Sequence, residues 1–295
     1  MIEEQFPAYL DRIAAGLVGE GSDCFGFDDE ISRDHDWGAA FCLWLTKEDY
    51  TKVGADLQAA YDRLPVSFEG FQARKDSPLA QKRYGVLETA RFFTQFTGLD
   101  HVPATLREWR AIPESFLATA TNGQVFHDPL GEFTSIRNGL KAFYPEDVRL
   151  KKIAARCMTI GQSGQYNYFR CMRRREHVAA YYALAQFTDA VISLVFLLNR
   201  AYKPFYKWMH RALASLPVLG GEIHELLDQM VLERDTQAEI GNIIEIIERI
   251  CGLIVIELQI QGLSDQASDF LCDHGPVVQS KITDPQLKAM HVMAE

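Results

Sequence analysis

Several things are missing from this sequence. Its six cysteines (Cys24, Cys42, Cys157, Cys171, Cys251 and Cys272) fall at no CxxC or paired spacing, which excludes a disulfide framework and reads as free thiols in a reducing compartment. No apolar leader is legible, because Met1–Gln5 is acidic and no apolar run with a cleavage site follows; the expectation is a cytoplasmic chain. Basic charge is short: 30 Lys+Arg stand against 40 Asp+Glu, a net charge of −10. That argues against a broad duplex nucleic-acid footprint, while leaving room for a local basic pocket. P-loop, GxGxxG, GxSxG and HExxH patterns are absent, so those chemistries lose support.

Long apolar runs are almost absent too. Val178 to Asn199 carries no Lys or Arg and approaches the length of a membrane span. Gln186, Thr188 and Asp189 sit near its middle, and an acid at mid-membrane is costly. The run therefore reads as the buried central helix of a helical domain, with no membrane partner.

What is present fits a globular chain of two domains. Glu3–Leu17 has apolar residues at helical spacing (Phe6, Leu10, Ile13 and Leu17). Trp37–Leu45 has the length of a strand. Thr46, with Asp49 three residues on, predicts the cap of a helix running to Leu64 before Pro65. Val66–Phe71 and Tyr84–Phe92 read as strands joined by the polar loop Arg74–Lys82. Thr105–Ala111 and Glu114–Thr121 read as helices, and Gln124–His127 as a strand entering the turn Asp128-Pro-Leu-Gly131. From Pro145 strand signals nearly vanish. Helices are expected over Asp147–Ile160, Tyr166–Arg200, Pro204–Ser215, Gly221–Leu232 and Thr236–Gln261, with a less regular tail over Ser264–Glu295. The expectation is α+β: a mixed α/β domain over residues 1–144, then a helical bundle domain over 145–295.

The chemistry-bearing stretch runs from Gly19 to Gly38. It contains Gly21-Ser22, eleven intervening residues, then Asp34-His35-Asp36 ahead of an apolar strand. On a strand, positions i and i+2 share a face, so Asp34 and Asp36 would project together. Two adjacent carboxylates repel each other and favour a shared hard cation such as Mg²⁺ or Mn²⁺. A Gly-Ser turn offers backbone N–H groups and a hydroxyl to phosphate oxygens. His35 would point to the opposite face, and Arg33 reads equally as a phosphate contact or a loop residue.

Gly-Ser, a spacer of about ten residues and Asp-x-Asp resemble the signature of the DNA polymerase beta-like nucleotidyltransferase superfamily. That resemblance implies metal binding by Asp34 and Asp36 and triphosphate contact by Gly21 and Ser22. Gly85-Val-Leu-Glu-Thr89 and Asn199-Arg-Ala-Tyr-Lys-Pro-Phe-Tyr-Lys-Trp208 followed by Leu216-Pro217 resemble segments of streptomycin-type aminoglycoside adenylyltransferases. There the likeness implies Glu88 as general base and Lys207 as a phosphate ligand. Trp109–Pro113, Gly123–Asp128, Thr134-x-x-Arg137 and Tyr144-Pro145 resemble an uncharacterised family of nucleotidyltransferase-like domains.

Alternatives stay open beside these assignments. Glu69 competes with Glu88 for the third acidic position, and Lys203 with Lys207. Tyr202 and Tyr206 suit base stacking or packing. The run Arg170, Arg173, Arg174, Arg175 suits a triphosphate or a solvated face. Glu176 and Asp189 are further candidate acids, Asp189 being expected buried in the bundle, and His127-Asp128 is adequate as a turn without a metal. The functional expectation is a Mg²⁺-dependent transfer of a nucleoside monophosphate, AMP from ATP, to a hydroxyl of a small molecule or protein, in a cleft between the halves. The acid-rich loop suits a cationic acceptor, and the chain is expected as a monomer or homodimer. The rival reading is a catalytically weak nucleotide-binding regulator.

Overall fold

Cys42-Leu-Trp-Leu45 is buried at every position, and the first part of the chain is assembled on both faces of that short strand. The computed structural model describes residues 1–34, 38–65, 67–72, 83–232 and 237–295. They divide into two units, Met1–Phe143 and Tyr144–Glu295. The fold class is α+β, a mixed sheet with helices followed by helices alone.

The first unit runs α1 (Ile2–Gln5), a 3-10 turn (Pro7–Tyr9), β1 (Ala14–Leu17), α2 (Ser22–Phe25), a 3-10 turn (Ile31–Asp34), β2 (Cys42–Leu45) and α3 (Lys47–Tyr61). It continues with β3 (Ser67–Phe68), β4 (Phe71–Gln72), β5 (Gly85–Glu88), α4 (Thr89–Thr97), α5 (Leu106–Ala111), α6 (Glu114–Thr121), β6 (Gln124–His127) and α7 (Glu132–Lys141). The sheet order is β5-β2-β1-β6. β2 pairs parallel with β5, Cys42 opposite Gly85 and Leu45 opposite Glu88. β1 is antiparallel to β2, Gly16 opposite Cys42, and antiparallel to β6, Leu17 opposite Gln124.

Alternation along β2 sends Leu43 and Leu45 into a core with Ile13, Val86 and the α3 residues Val53 and Leu57. Trp44 goes to the other face, where its ring stacks on Phe133 of α7 with centroids 3.8 Å apart and meets Phe92 of α4 edge-on at 5.5 Å. A strand covered on both faces reads as an unbroken apolar run, as this one does. The Thr46 cap forms as expected, its hydroxyl accepting from Asp49 N at 3.2 Å, and α5, α6 and β6 lie where the sequence puts them.

Other expectations change. Glu3–Leu17 is not one helix: Pro7 opens a separate 3-10 turn, and Ala14–Leu17 is a strand paired on both sides. The strand expected over Trp37–Leu45 is confined to β2 among the described residues, Trp37 lying outside them. Tyr84–Phe92 is strand only to Glu88, since α4 begins at Thr89, whose hydroxyl donates to the Leu45 carbonyl at 3.1 Å. In place of one strand over Val66–Phe71 there is a two-stranded hairpin, β3 with β4, turning at Glu69 and Gly70; Val66 and the loop 74–82 lie outside the described residues.

The second unit contains α8 (Glu146–Ile160), a π-helical turn (Gly161–Tyr168), α9 (Phe169–Arg173), α10 (His177–Leu198), α11 (Tyr206–Leu213), α12 (Gly220–Leu232), α13 (Gln237–Ile260), α14 (Leu271–Ser280) and α15 (Pro285–Ala289). The single helix expected over Tyr166–Arg200 is interrupted, because Arg175 takes a left-handed φ of 60° between α9 and α10. Thr236, the expected start of the last helix, lies outside the described residues. Among the described residues α10 alone is long and apolar enough to cross a membrane, yet most of that apolar stretch is buried, including all of Ala190–Leu198.

Candidate functional site

Gly21 holds φ 131° and ψ 150°, a conformation L side chains rarely adopt, and it delivers the chain into α2 at Ser22. Ser22 Oγ donates to Asp28 Oδ1 at 2.5 Å. Among the described residues the Gly21 and Ser22 amides have no acceptor. The arrangement is therefore a turn with two backbone donors and a hydroxyl already tied to a carboxylate.

Three contacts hold this turn. Asn122, at the end of α6, clamps Gly19 from both sides: Gly19 N donates to Asn122 Oδ1 at 2.9 Å, and Asn122 Nδ2 donates to the Gly19 carbonyl at 2.7 Å. Gly123 N donates to the Cys24 carbonyl at 2.8 Å. Arg83, just before β5, pairs with Glu20 at 2.9 Å. Arg137 of α7 supports the clamp, donating to the carbonyls of Asn122 and Gly123, both at 2.9 Å. Sequence reading singled out Arg137 and Gly123 only through a resemblance and missed Asn122. An asparagine before a glycine is a common turn signal, and nothing in it announces a partner more than a hundred residues upstream.

The acids of the loop divide by role. Asp29 Oδ1 accepts from Ile31 N, Ser32 N and Ser32 Oγ, each at 3.0 Å, and so shapes the loop. Asp34 ends a 3-10 turn, not a strand, so the strand argument for a shared face does not apply to it. The side chains of Arg33 and Asp34, and the whole of His35 and Asp36, lie outside the described residues.

Glu88 is placed elsewhere. The register sets Gly16, Cys42 and Gly85 at one level, and Glu88 three residues further along β5. At about 3.3 Å per residue that is about 10 Å along the strand. The Gly21-Ser22 turn follows the opposite end, beyond Leu17, held against Gly123 and Arg83. The structure thus does not bring Glu88 to the Gly-Ser turn. Glu88 belongs to an acidic group with Asp128, Glu132 and Asp49. There burial pushes the Glu132 carboxyl up; a Thr89 hydrogen bond opposes that, and the three neighbouring acids reinforce it. Asp49 is itself buried and paired with Arg12 at 2.8 Å. Glu69 lies in the β3–β4 turn, exposed, at φ 48°.

The remaining candidates fall as follows. Asp128 accepts from Gly131 N at 3.0 Å and Thr134 N at 2.7 Å, the work of a turn acid. In the second unit, Lys207 is exposed with Nζ 4.9 Å from the Trp208 ring centroid. Lys203 is engaged with Asp189 at 2.5 Å, and Asp189 is exposed, contrary to its expected burial, because it lies on the solvent side of α10. Tyr202 packs edge-on against Tyr144 at 5.1 Å, and burial pushes its hydroxyl pKa up. Tyr206 is exposed beside Phe205. Arg170 and Arg173 lie over the rings of Tyr166 and Phe169 at 4.6 and 5.5 Å, an exposed cation–aromatic surface.

A family model described as a domain of unknown function (DUF4037) matches residues 109–209. No curated protein matches the chain significantly. A crystal structure of a nucleotidyltransferase-like protein from Exiguobacterium sibiricum 255-15 is similar over 90% of this chain and 79% of that chain, with 12% identity and a TM-score of 0.35. At that identity and score the likeness assigns no activity to this chain, and the functional reading rests on the chain's own residues.

Proposed function

We propose that the chain is a divalent-metal-dependent nucleotidyltransferase that moves AMP from ATP to a hydroxyl of an acceptor molecule. The observation that carries this reading is the Gly21-Ser22 turn: two amides without an acceptor among the described residues, a hydroxyl, and a backbone shape enforced by Asn122 and Gly123. The two amides of such a turn donate to phosphate oxygens where they stand, and the Ser22 hydroxyl joins them on leaving Asp28. Asp34 and Asp36 supply hard carboxylate oxygens of the kind Mg²⁺ or Mn²⁺ takes. When bound there, the ion supplies polarisation of the phosphate and charge neutralisation.

The chain's own groups do the rest. The Gly21 and Ser22 amides and the Ser22 hydroxyl orient the triphosphate, and Asn122 and Arg137 keep the turn in place. Lys207 is given the role of neutralising the departing pyrophosphate, so Lys207→Ala lowers kcat by about tenfold. The acids around the turn favour a cationic acceptor. Glu88 lies at the other end of the sheet, so the proton of the acceptor hydroxyl passes to a carboxylate of the acid-rich loop.

The test incubates the full chain with labelled ATP, Mg²⁺ and a pool of hydroxyl acceptors, and reads pyrophosphate and labelled product. Asp36→Asn is expected to lower turnover by about a hundredfold or more, with Glu88→Gln staying within about threefold of the parent. Full turnover by Asp36→Asn would sink the metal assignment. Loss in Glu88→Gln alone would move the chemistry to the acidic end of the sheet. A second reading, a nucleotide-binding regulator without turnover, draws on the distance of Glu88 from the turn. Its signature is ATP binding with no pyrophosphate from any acceptor.

A further inference from the structure

The α11–α12 helix pair carries a cluster that the nucleotide chemistry does not use. His224 and Asp228 are four residues apart on α12, so their side chains share one face. His210 reaches that face from α11. One ligand-capable atom from each of the three lies within 4.8 Å of the other two. The imidazole rings are stacked, with centroids 4.1 Å apart and planes at 14°. His210 Nε2 is 3.2 Å from the His224 carbonyl oxygen and 3.7 Å from Asp228 Oδ1. Both histidines are half-buried and Asp228 is exposed.

We propose that His210, His224 and Asp228 bind one divalent transition-metal ion, Zn²⁺ by preference. Two imidazole nitrogens and one carboxylate oxygen form a donor set suited to zinc and unsuited to Mg²⁺, which takes oxygen. Bonds of about 2.0–2.2 Å set tetrahedral donors about 3.4 Å apart, so the cluster closes by at most about 1.5 Å. Side-chain rotation supplies that movement: the stacked rings tilt to converge on one point, and exposed Asp228 swings inward. The backbone needs little adjustment, because α12 is fixed in rotation by buried Ile223, Leu226, Leu227 and Met230. Three protein ligands leave a fourth position for water or a ligand. The ion bridges α11 and α12 across the turn between them and stabilises the second unit by mass action.

The experiment titrates the chelator-stripped full chain with Zn²⁺ by calorimetry and records the absorption of its Co²⁺ form. The parent and an Asp34→Asn/Asp36→Asn chain should both bind one Zn²⁺ at this site, which separates it from the proposed Mg²⁺ site. His210→Ala and His224→Ala should each weaken that binding by about a hundredfold or more, and Asp228→Asn by about tenfold. Metal-free melting curves of the variants should match the metal-free parent. If an alanine variant melts early, the exposed Asp228→Asn change carries the test. Zinc binding unaltered by these substitutions, no zinc binding, or a sulfur-to-cobalt charge-transfer band would each overturn the proposal.

Discussion

Gly123 meets two demands at once. Its φ is +60°, and a Cβ built on it would stand 2.0 Å from the Leu17 carbonyl oxygen. Any side chain there must push β1 away from β6 at the point where the Gly19–Cys24 turn is anchored. Gly123→Ala is therefore expected to cost about 3 kcal/mol or more, read as a fall in the thermal midpoint. Asn122→Ala is a subtler probe. It leaves both polar groups of Gly19 without their partner, at a cost of about 1–3 kcal/mol, and it loosens the turn that the nucleotide reading depends on. If that reading holds, Asn122→Ala raises the KM for ATP beyond what its stability loss explains. An unchanged KM would make the clamp purely structural.

At the scale of elements, the start of α7 gathers charge unfavourably. Glu132 is its first residue, facing Asp128, Asp49 and Glu88, and its carboxyl is pushed above the ordinary 4.5. In the window above 4.5 and up to the raised value, the folded chain holds this proton more tightly than the unfolded chain. Stability falls as pH rises through that window. Glu132→Gln should therefore melt higher than the parent at pH 7 and level with it below 4.5; the same difference at both pH values would refute the linkage. The conflict was illegible in the sequence because Glu132, Glu88 and Asp49 come from three separate elements. What was legible was local: the Thr46 cap with Asp49, the strand Gln124–His127 and the turn at Asp128. What misled was also local. Phe6, Leu10, Ile13 and Leu17 have helical spacing, yet Ala14–Leu17 gains hydrogen bonds from strands on both sides, and a four-residue strand is too short to show its own period. The Gly-Ser turn could be read from the sequence. The remoteness of Glu88 from it could not, because only the strand register decides which end of β5 faces the turn.

Across the whole molecule, the second unit satisfies its costly buried groups internally. Lys151 is fully buried in α8, and its ammonium donates to Gln279 Oε1 at 2.5 Å and to the His291 carbonyl at 2.7 Å. Arg156 pairs with Glu295. Asp147 accepts from Thr283 N, Thr283 Oγ1 and Asp284 N at 2.7–2.9 Å. Partial burial raises its carboxyl, but these bonds together outweigh that and hold it below the usual range. Every one of these contacts joins α8 to the last fifteen residues or to α14 just before them. The tail that read as irregular in the sequence is thus the polar counterpart of the most buried helix. A fragment of residues 144–295 should melt in one cooperative transition, since its core of α8, α10, α13 and α14 is complete. A fragment of residues 144–280 keeps α8, α10, α13, α14 and Gln279, but it removes the buried side chains of Ile282 and Leu287. It also strips Lys151 of its carbonyl partners and Asp147 of its donors, and leaves Arg156 with Ser193 in place of Glu295. Removing partners from buried charges is strongly destabilising, so the shorter fragment should lose about 3 kcal/mol or more in a urea titration. Equal midpoints for the two fragments would show that water replaces the tail at Lys151, and that the tail is ornament to the unit and not part of its structure.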